Sequence, residues 1–313
     1  MIKQKFYCLG VPRSGTTYFS HLINSHLEAV CGMESFNPKL FRNYFLSLEG
    51  FESKSLSQHS KNFVSERFEK KGSVDTIGDK YPRGYYAFEN IVVQMNGVSG
   101  TIFINIRKPE EVFASWDTRA LDSHDSWDSG MIWLVSYLEM IYLLHVVKKF
   151  LPDNSYFLNY EYVVGLESRK EAAKKIFELL NKDIDSSVTN YLSKSAKRTQ
   201  ISIHKERQIT SQQKTIMMLP HMCSYSTLLQ KITVTPTTEI VSDISIVLEY
   251  FKKDFIESQQ IFREVIHNTV KLCPEFKILW KSKLSEQYSQ LFIDDPFHDL
   301  WEMFNNIICR EIV

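Results

Sequence analysis

The segment from Lys5 to Ile23 constrains this chain more than any other. Lys5–Gly10 is an apolar run of strand length, Val11-Pro12-Arg13-Ser14-Gly15 breaks it with turn residues, and from Thr16 the apolar positions Tyr18, Phe19, Leu22 and Ile23 recur at helical spacing. Gly10 to Thr17 has the glycine spacing of a phosphate-cradling P-loop, in which backbone N–H groups and a helix N-terminus converge on an anion. The lysine of such loops is missing. Thr16 stands in its place, and the loop's one cation is Arg13, whose planar fork suits oxyanions. A nucleotide triphosphatase needs that lysine on the terminal phosphates, a hydroxyl on Mg²⁺ and a carboxylate for the metal, so hydrolysis of ATP or GTP is disfavoured.

The first two hundred residues continue to alternate short apolar runs with helical patterns, which predicts an α/β fold with a mostly parallel sheet flanked by helices. Thr101–Ile106 and Ser155–Tyr160 read as buried strands and Val74–Ile77 as a weaker one. Pro109-Glu110-Glu111 opens a helix with proline and acids in its first turn. Arg107 ends a strand and so points from the carboxyl edge of the sheet, where open α/β folds bind ligands, with Ser115 about two turns into the next helix. From Ser193 to Thr238 the pattern is polar and reads as loops. Helical periodicity returns from Ile240 to Val313, as in Ile244, Val247, Leu248, Phe251 and Phe255. The expected organisation is a core over residues 1–205 and a mainly helical extension over 206–313, an acceptor lid or a dimer surface.

Charge narrows the partners. Lys plus Arg equals Asp plus Glu at 37 each in 313 residues, so no bulk field draws the chain to nucleic acid or an anionic membrane, and any bound anion needs a local site. Five widely spaced cysteines (Cys8, Cys31, Cys223, Cys273, Cys309) read as reduced thiols, and the first residues lack the order of a signal peptide; a cytoplasmic location is the expectation. Met131–Val147 is interrupted by Ser136, Glu139 and His145 and reads as a core helix, with Trp133, Tyr137 and Tyr142 in the core. Asp122, His124, Asp125 and Asp128 lack the spacing of a calcium loop, and His221 with Cys223 completes no zinc set, so no metal site is expected.

Pro12-Arg13-Ser14-Gly15-Thr16-Thr17 resembles the 5′-phosphosulfate loop of the sulfotransferases that use 3′-phosphoadenosine 5′-phosphosulfate (PAPS), and Arg107 with Ser115 resembles their 3′-phosphate motif. The order of elements and the spacing of about 90 residues between the motifs suit that family. Phe157-Leu158-Asn159-Tyr160-Glu161 resembles the family strand whose aromatic lies near the adenine, which implies Tyr160 as a cofactor contact. The likeness spans roughly residues 4 to 165. It implies a P-loop sulfotransferase-like fold, PAPS as donor, PAP as product and no metal, with Arg13, Ser14, Gly15, Thr16, Thr17, Arg107, Ser115 and Tyr160 on the nucleotide. Two departures stand out. Arg13 replaces a frequent lysine, as in the bacterial and tyrosylprotein branch, and the glycine-rich basic segment near the C-terminus is missing, with Lys194-Ser195-Ala196-Lys197-Arg198 or Lys205-Glu206-Arg207 as substitutes.

Sulfuryl transfer builds negative charge on the bridging oxygen of the departing nucleotide, so by analogy with phosphoryl transfer the protein positions the reactants and stabilises that oxygen. Arg13 and Lys80, in Asp79-Lys80-Tyr81-Pro82 after the weak strand, fit that task. The acceptor must also lose a proton. The small-molecule branch uses a His where this chain has Pro82, so another base is required. Cys31-Gly32-Met33-Glu34-Ser35 resembles the segments that carry the Glu base of tyrosylprotein and glycosaminoglycan sulfotransferases, and Glu34, expected to be desolvated at the sheet edge, is the chosen base with His124 in reserve. The acceptor is a hydroxyl, or less readily an amine, on a small molecule, carbohydrate or peptide. The rival readings are a P-loop nucleotide kinase or hydrolase, and a non-catalytic nucleotide-binding interaction protein.

Overall fold

The computed structural model describes residues 2–35, 74–120, 131–203, 209–294 and 296–309, with the side chains of 196–203 left aside. In chain order these form β1 (Gln4–Gly10), α1 (Thr16–Ser25), β2 (Ala29–Met33), β3 (Thr76–Lys80), α2 (Phe88–Asn96), β4 (Thr101–Ile106), α3 (Pro109–Ala120), α4 (Trp133–Phe150), β5 (Ser155–Asn159), α5 (Tyr160–Val164), α6 (Arg169–Leu179) and α7 (Ser186–Ile203). There follow α8 (Ser211–Met217), α9 (Pro220–Lys231), β6 (Val234–Pro236), α10 (Thr237–Glu257), α11 (Gln259–Leu272), α12 (Pro274–Leu279), α13 (Ser285–Leu291) and α14 (Phe297–Cys309).

The six strands make one sheet in the order β2-β3-β1-β4-β5-β6, parallel throughout except for β6, which runs antiparallel to β5. The chain leaves β1 toward one edge of the sheet and later leaves β4 toward the other. Neighbouring β1 and β4 therefore enclose the topological switch point, where open α/β sheets present a crevice at their carboxyl ends. Register fixes the depth of that edge: Gly10 pairs with Asn105, Lys80 with both Cys8 and Met33, and Ile106 with Asn159.

Contacts divide the chain into two compact units, Met1–Arg107 with Val146–Glu206 and Leu229–Val241, and Lys108–His145 with Arg207–Leu228 and Ser242–Val313. The sequence reading puts one cut at 205/206; the contact division is interleaved, and residues 108–145 group with the later helices. In the first unit β4 is buried along its whole length, so it reads as a continuous apolar run, as a strand covered on both faces must. Phe6 of β1, Phe19 of α1 and Phe103 of β4 meet in one cluster, with ring centroids 5.0 to 6.2 Å apart, and Ile176 and Phe177 of α6 and Leu192 of α7 complete it. Each such side chain contributes roughly 1.5–3 kcal/mol on burial. Tyr7 and Leu9 alternate away from that cluster, and Gly84, in a 3₁₀ turn before α2, lies against them. Gly78 is required by space: a Cβ there would sit 2.2 Å from the Phe6 ring.

The second unit is helical. Its centre is a buried chain of hydrogen bonds, in which Tyr137 Oη lies 3.0 Å from His221 Nε2 and His221 Nδ1 lies 2.7 Å from Asp254 Oδ2, with the His221 amide also donating to that carboxylate. Burial lowers the His221 pKa and raises that of Tyr137 well above its usual value. Phe251, Phe255 and Phe262 pack around this network, and Trp280, Tyr288, Phe292 and Phe304 form a second aromatic group. The expected core helix is α4, with Trp133, Tyr137 and Tyr142 buried. Among the described residues no helix is long and apolar enough to cross a membrane, and no group of three or more His, Cys, Asp or Glu is placed to hold a metal ion.

Several expected boundaries move. Residues 193–238, read as loops, carry the end of α7, then α8, α9 and β6, because Ile216, Leu219, Met222, Tyr225, Leu228 and Leu229 are buried among the polar residues that hid them. The weak strand is Thr76–Lys80 in place of Val74–Ile77, so Lys80 ends a strand and does not follow one. Residues 29–33 form β2, a strand the sequence reading lacked, and β5 stops at Asn159 with Tyr160 opening α5.

Candidate functional site

The loop after β1 is bent by two residues of positive φ, Arg13 at 75° and Gly15 at 101°. The turn closes with Ser14 N–H on the Val11 carbonyl, and Gly10 N–H reaches Pro82 O in the loop after β3. Gly15 is the N-cap of α1. No side chain caps that helix and no acid stands in its first turn, so its leading amides keep the unsatisfied N–H groups that favour an anion. Ser14 is buried, and its hydroxyl has no protein partner among the described residues. Thr16 is buried, whereas Arg13 and Thr17 are exposed. An orphaned hydroxyl beside an uncapped helix start suits the oxyanion of a phosphate or phosphosulfate.

Arg107, just past β4, braces this loop. Its Nη1 donates to the Arg13 carbonyl at 3.1 Å, its guanidinium lies 4.6 Å from the Tyr160 ring centroid, and its Nε is 3.7 Å from Glu161 Oε1. The Tyr160 ring in turn presses on Gly15, where a Cβ would come within 2.0 Å of it. Asn159 caps the helix that Tyr160 opens. As N-cap of α5 it accepts from the amides of Glu161 and Tyr162 while its own amide donates to Leu229 O. Asn159 and Glu161 are not among the residues expected from the sequence, although Asn followed by an acid at a strand end is a helix-start signal.

Glu34 and Lys80 form the second half of the site. Glu34 directly follows β2 at φ 62°, its N–H donates to Lys80 O at 2.7 Å, and its Oε1 accepts from Lys80 Nζ at 2.8 Å. The Lys80 side chain is 6% exposed and that of Glu34 is 53% exposed. The desolvation expected of Glu34 is therefore not found: β2 ends before it, and the carboxylate turns out to solvent while the lysine stem stays inside. Asp79, fully buried next to Lys80, accepts from the Ser35 N–H and so holds the residue after Glu34. Burial raises the pKa of Tyr7 and Tyr81, with the Asp79 and Glu34 charges adding to it.

The structure thus brings Arg13, Ser14, Gly15, Thr16, Arg107 and Tyr160 together, and Glu34 with Lys80, on the carboxyl ends of the parallel strands. Ser115 is buried on α3 and belongs to the second unit. Asp122, His124, Asp125, Asp128 and the segment Lys205-Glu206-Arg207 lie outside the residues fully described, as do the side chains of Lys197 and Arg198.

No family model and no curated protein matches this chain. Among solved structures it is similar to the sulfotransferase domain from the curacin biosynthetic pathway, at 14% identity and a TM-score of 0.40, covering 60% of this chain and 77% of that one. It is similar also to a sulfotransferase from Alicyclobacillus acidocaldarius, at 12% identity and a TM-score of 0.40 over 66% of this chain and 98% of that one. A third is mouse sulfotransferase SULT7A1 complexed with PAP, at 13% identity and a TM-score of 0.41 over 90% of this chain and 89% of that one.

Proposed function

We propose that this protein is a PAPS-dependent sulfotransferase that acts on an acceptor hydroxyl, or less readily an amine, without a metal. One observation carries the reading: a phosphate loop without its lysine, with a buried orphan hydroxyl at Ser14 and an uncapped helix start, is braced by Arg107 beside the Lys80–Glu34 pair. The donor, when bound, supplies the sulfuryl group, whose sulfur–oxygen bond to the nucleotide breaks as the bond to the acceptor oxygen forms. The loop amides, Ser14, Thr16, Thr17 and Arg13 hold the 5′ end of the nucleotide. Arg107 and Tyr160 serve its adenosine 3′-phosphate end, with Ser115 as the further ligand that the sequence motif implies.

Glu34 takes the acceptor's proton. Its exposed carboxylate is open to an incoming hydroxyl, and Lys80 fixes its position through the 2.8 Å contact. Once Glu34 is neutral its hold on Lys80 weakens, and the ammonium turns to the oxygen on which negative charge gathers. Proton removal and charge stabilisation are thereby linked through one ion pair.

Thermal-shift titration with PAP (adenosine 3′,5′-bisphosphate), AMP and ATP with Mg²⁺ tests the nucleotide half, since a ligand that binds only the folded state stabilises it with the logarithm of its saturation. A shift for PAP well above the other two supports the reading and leads to an acceptor screen with PAPS. A shift for ATP with Mg²⁺ alone favours a kinase or hydrolase. PAP binding by the parent chain with no transfer from PAPS to any acceptor favours a non-catalytic nucleotide-binding protein.

A further inference from the structure

The second unit contains a cavity of about 410 Å³, within the range of small-molecule sites, that the proposed transfer does not use. Its inner wall is Ala114, Ile132 and Trp133, all buried, and Thr269 of α11, while Glu275 stands exposed at its mouth. Of its polar lining residues, two bear most on what the space could hold. Asp117 of α3 accepts from the Trp133 amide at 2.9 Å and from Gln213 Nε2 at 2.7 Å, two neutral donors, and makes no ion pair among the described residues. Thr269 is 7% exposed, and its hydroxyl has no partner among the described residues.

A carboxylate set in an apolar wall without a cation is costly, and so is a buried hydroxyl left unbonded. A carboxylate accepts about four hydrogen bonds in all, so Asp117 retains capacity after its two. Among the described residues the lining includes two carboxylates and no Lys or Arg. This lining is complementary to a compact cation that donates several hydrogen bonds and carries an apolar body against Trp133 and Ile132. Burial raises the Asp117 carboxyl to about 6 against the opposing hydrogen bonds from Trp133 and Gln213.

We propose that this cavity binds a small amphipathic organic ammonium ion, with its charged head on Asp117 and Thr269 and its apolar body against Trp133, Ile132 and Ala114. The site stands on the second unit alone and does not depend on the transfer reaction.

Calorimetric titration of the full chain at pH 7.5 with 2-phenylethylamine and with its uncharged counterpart 2-phenylethanol tests this. The amine is expected to bind at least about tenfold tighter than the alcohol, the margin of one charge-assisted hydrogen bond over a neutral one. Asp117→Asn, which keeps an acceptor for Trp133, should erase that margin, and Thr269→Val should weaken the amine more than the alcohol. Circular dichroism melting of both variants establishes that they are folded. Equal binding of the two probes, unchanged amine affinity in folded Asp117→Asn, or no amine binding up to about 10 mM, some 2.7 kcal/mol, overturns the proposal.

Discussion

Arg13 and Glu34 both stand at positive φ, which costs a non-glycine residue of the order of 1 kcal/mol and persists only where the surroundings impose it. The other non-glycine residues of this kind among the described ones, Ser99, Leu151 and Asn181, stand one to three residues past helix ends. Arg13 and Glu34, expected to handle the donor and the acceptor, are each held there by one bond, from Arg107 Nη1 to the Arg13 carbonyl and from the Glu34 N–H to Lys80 O. Replacing Glu34 with Gln should lower transfer by about 10²-fold or more in a single-turnover assay, the scale of a lost general base, and leave PAP affinity nearly unchanged. Arg107→Ala should weaken PAP and also loosen the loop, because it removes the bond to the Arg13 carbonyl. For Gly15→Ala the left-handed φ and the Tyr160 ring act together, and urea melts should show a loss of more than about 1 kcal/mol. Asp117 gives a pH signature. Its folded value of about 6 lies above the ordinary 3.8, so the folded state binds its proton more tightly and stability falls as pH rises from about 4 to 6. The stability of Asp117→Asn relative to the parent should accordingly rise across that window by up to about 3 kcal/mol, as chemical denaturation at pH 4, 5, 6 and 7 will measure. The placement of Arg13, Ser14, Gly15 and Arg107 was legible in the sequence, because turn chemistry and a strand end fix where those residues stand. The Asp117–Thr269 pair was not, since nothing in the spacing of α3 and α11 announces that their side chains share a cavity.

At the scale of elements, the long apolar runs β1 and β4 and the periodic helices α1 and α10 to α14 followed from pattern alone. The short edge strands did not. In β2 the stretch Ala-Val-Cys-Gly-Met has no alternation to distinguish it from a loop, and β6, three residues long, carries a proline that only an edge position accepts. The helices α8 and α9 were missed because their buried residues are spaced among Ser, Thr, Gln and Lys. The cue present was the capping box of Thr210 and Gln213, in which each side chain bonds the other's backbone. Gln213 also holds Asp117, so this cap ties a helix start to the cavity. Thr210→Ala should destabilise α8 by about 1 kcal/mol, read as faster amide exchange across Ser211–Met217.

For the whole molecule, the interleaved units mean that no single cut separates two self-sufficient pieces. A chain ending at residue 205 keeps the phosphate loop, Glu34, Lys80 and Arg107 but loses Leu229–Val241 and with it β6, which pairs with β5. The Asn159 amide would also lose its Leu229 partner. An uncovered β5 edge is a template for pairing between chains, so the truncated chain should aggregate or melt well below the parent in circular dichroism. The brace on the loop has a consequence in time. Arg107 and Tyr160 shape the loop through contacts within the chain, so under the proposed function nucleotide capture should need no slow rearrangement. In stopped-flow mixing with PAP, the observed rate should climb in a straight line with nucleotide concentration and show no plateau, and removal of the Arg107 side chain should introduce one.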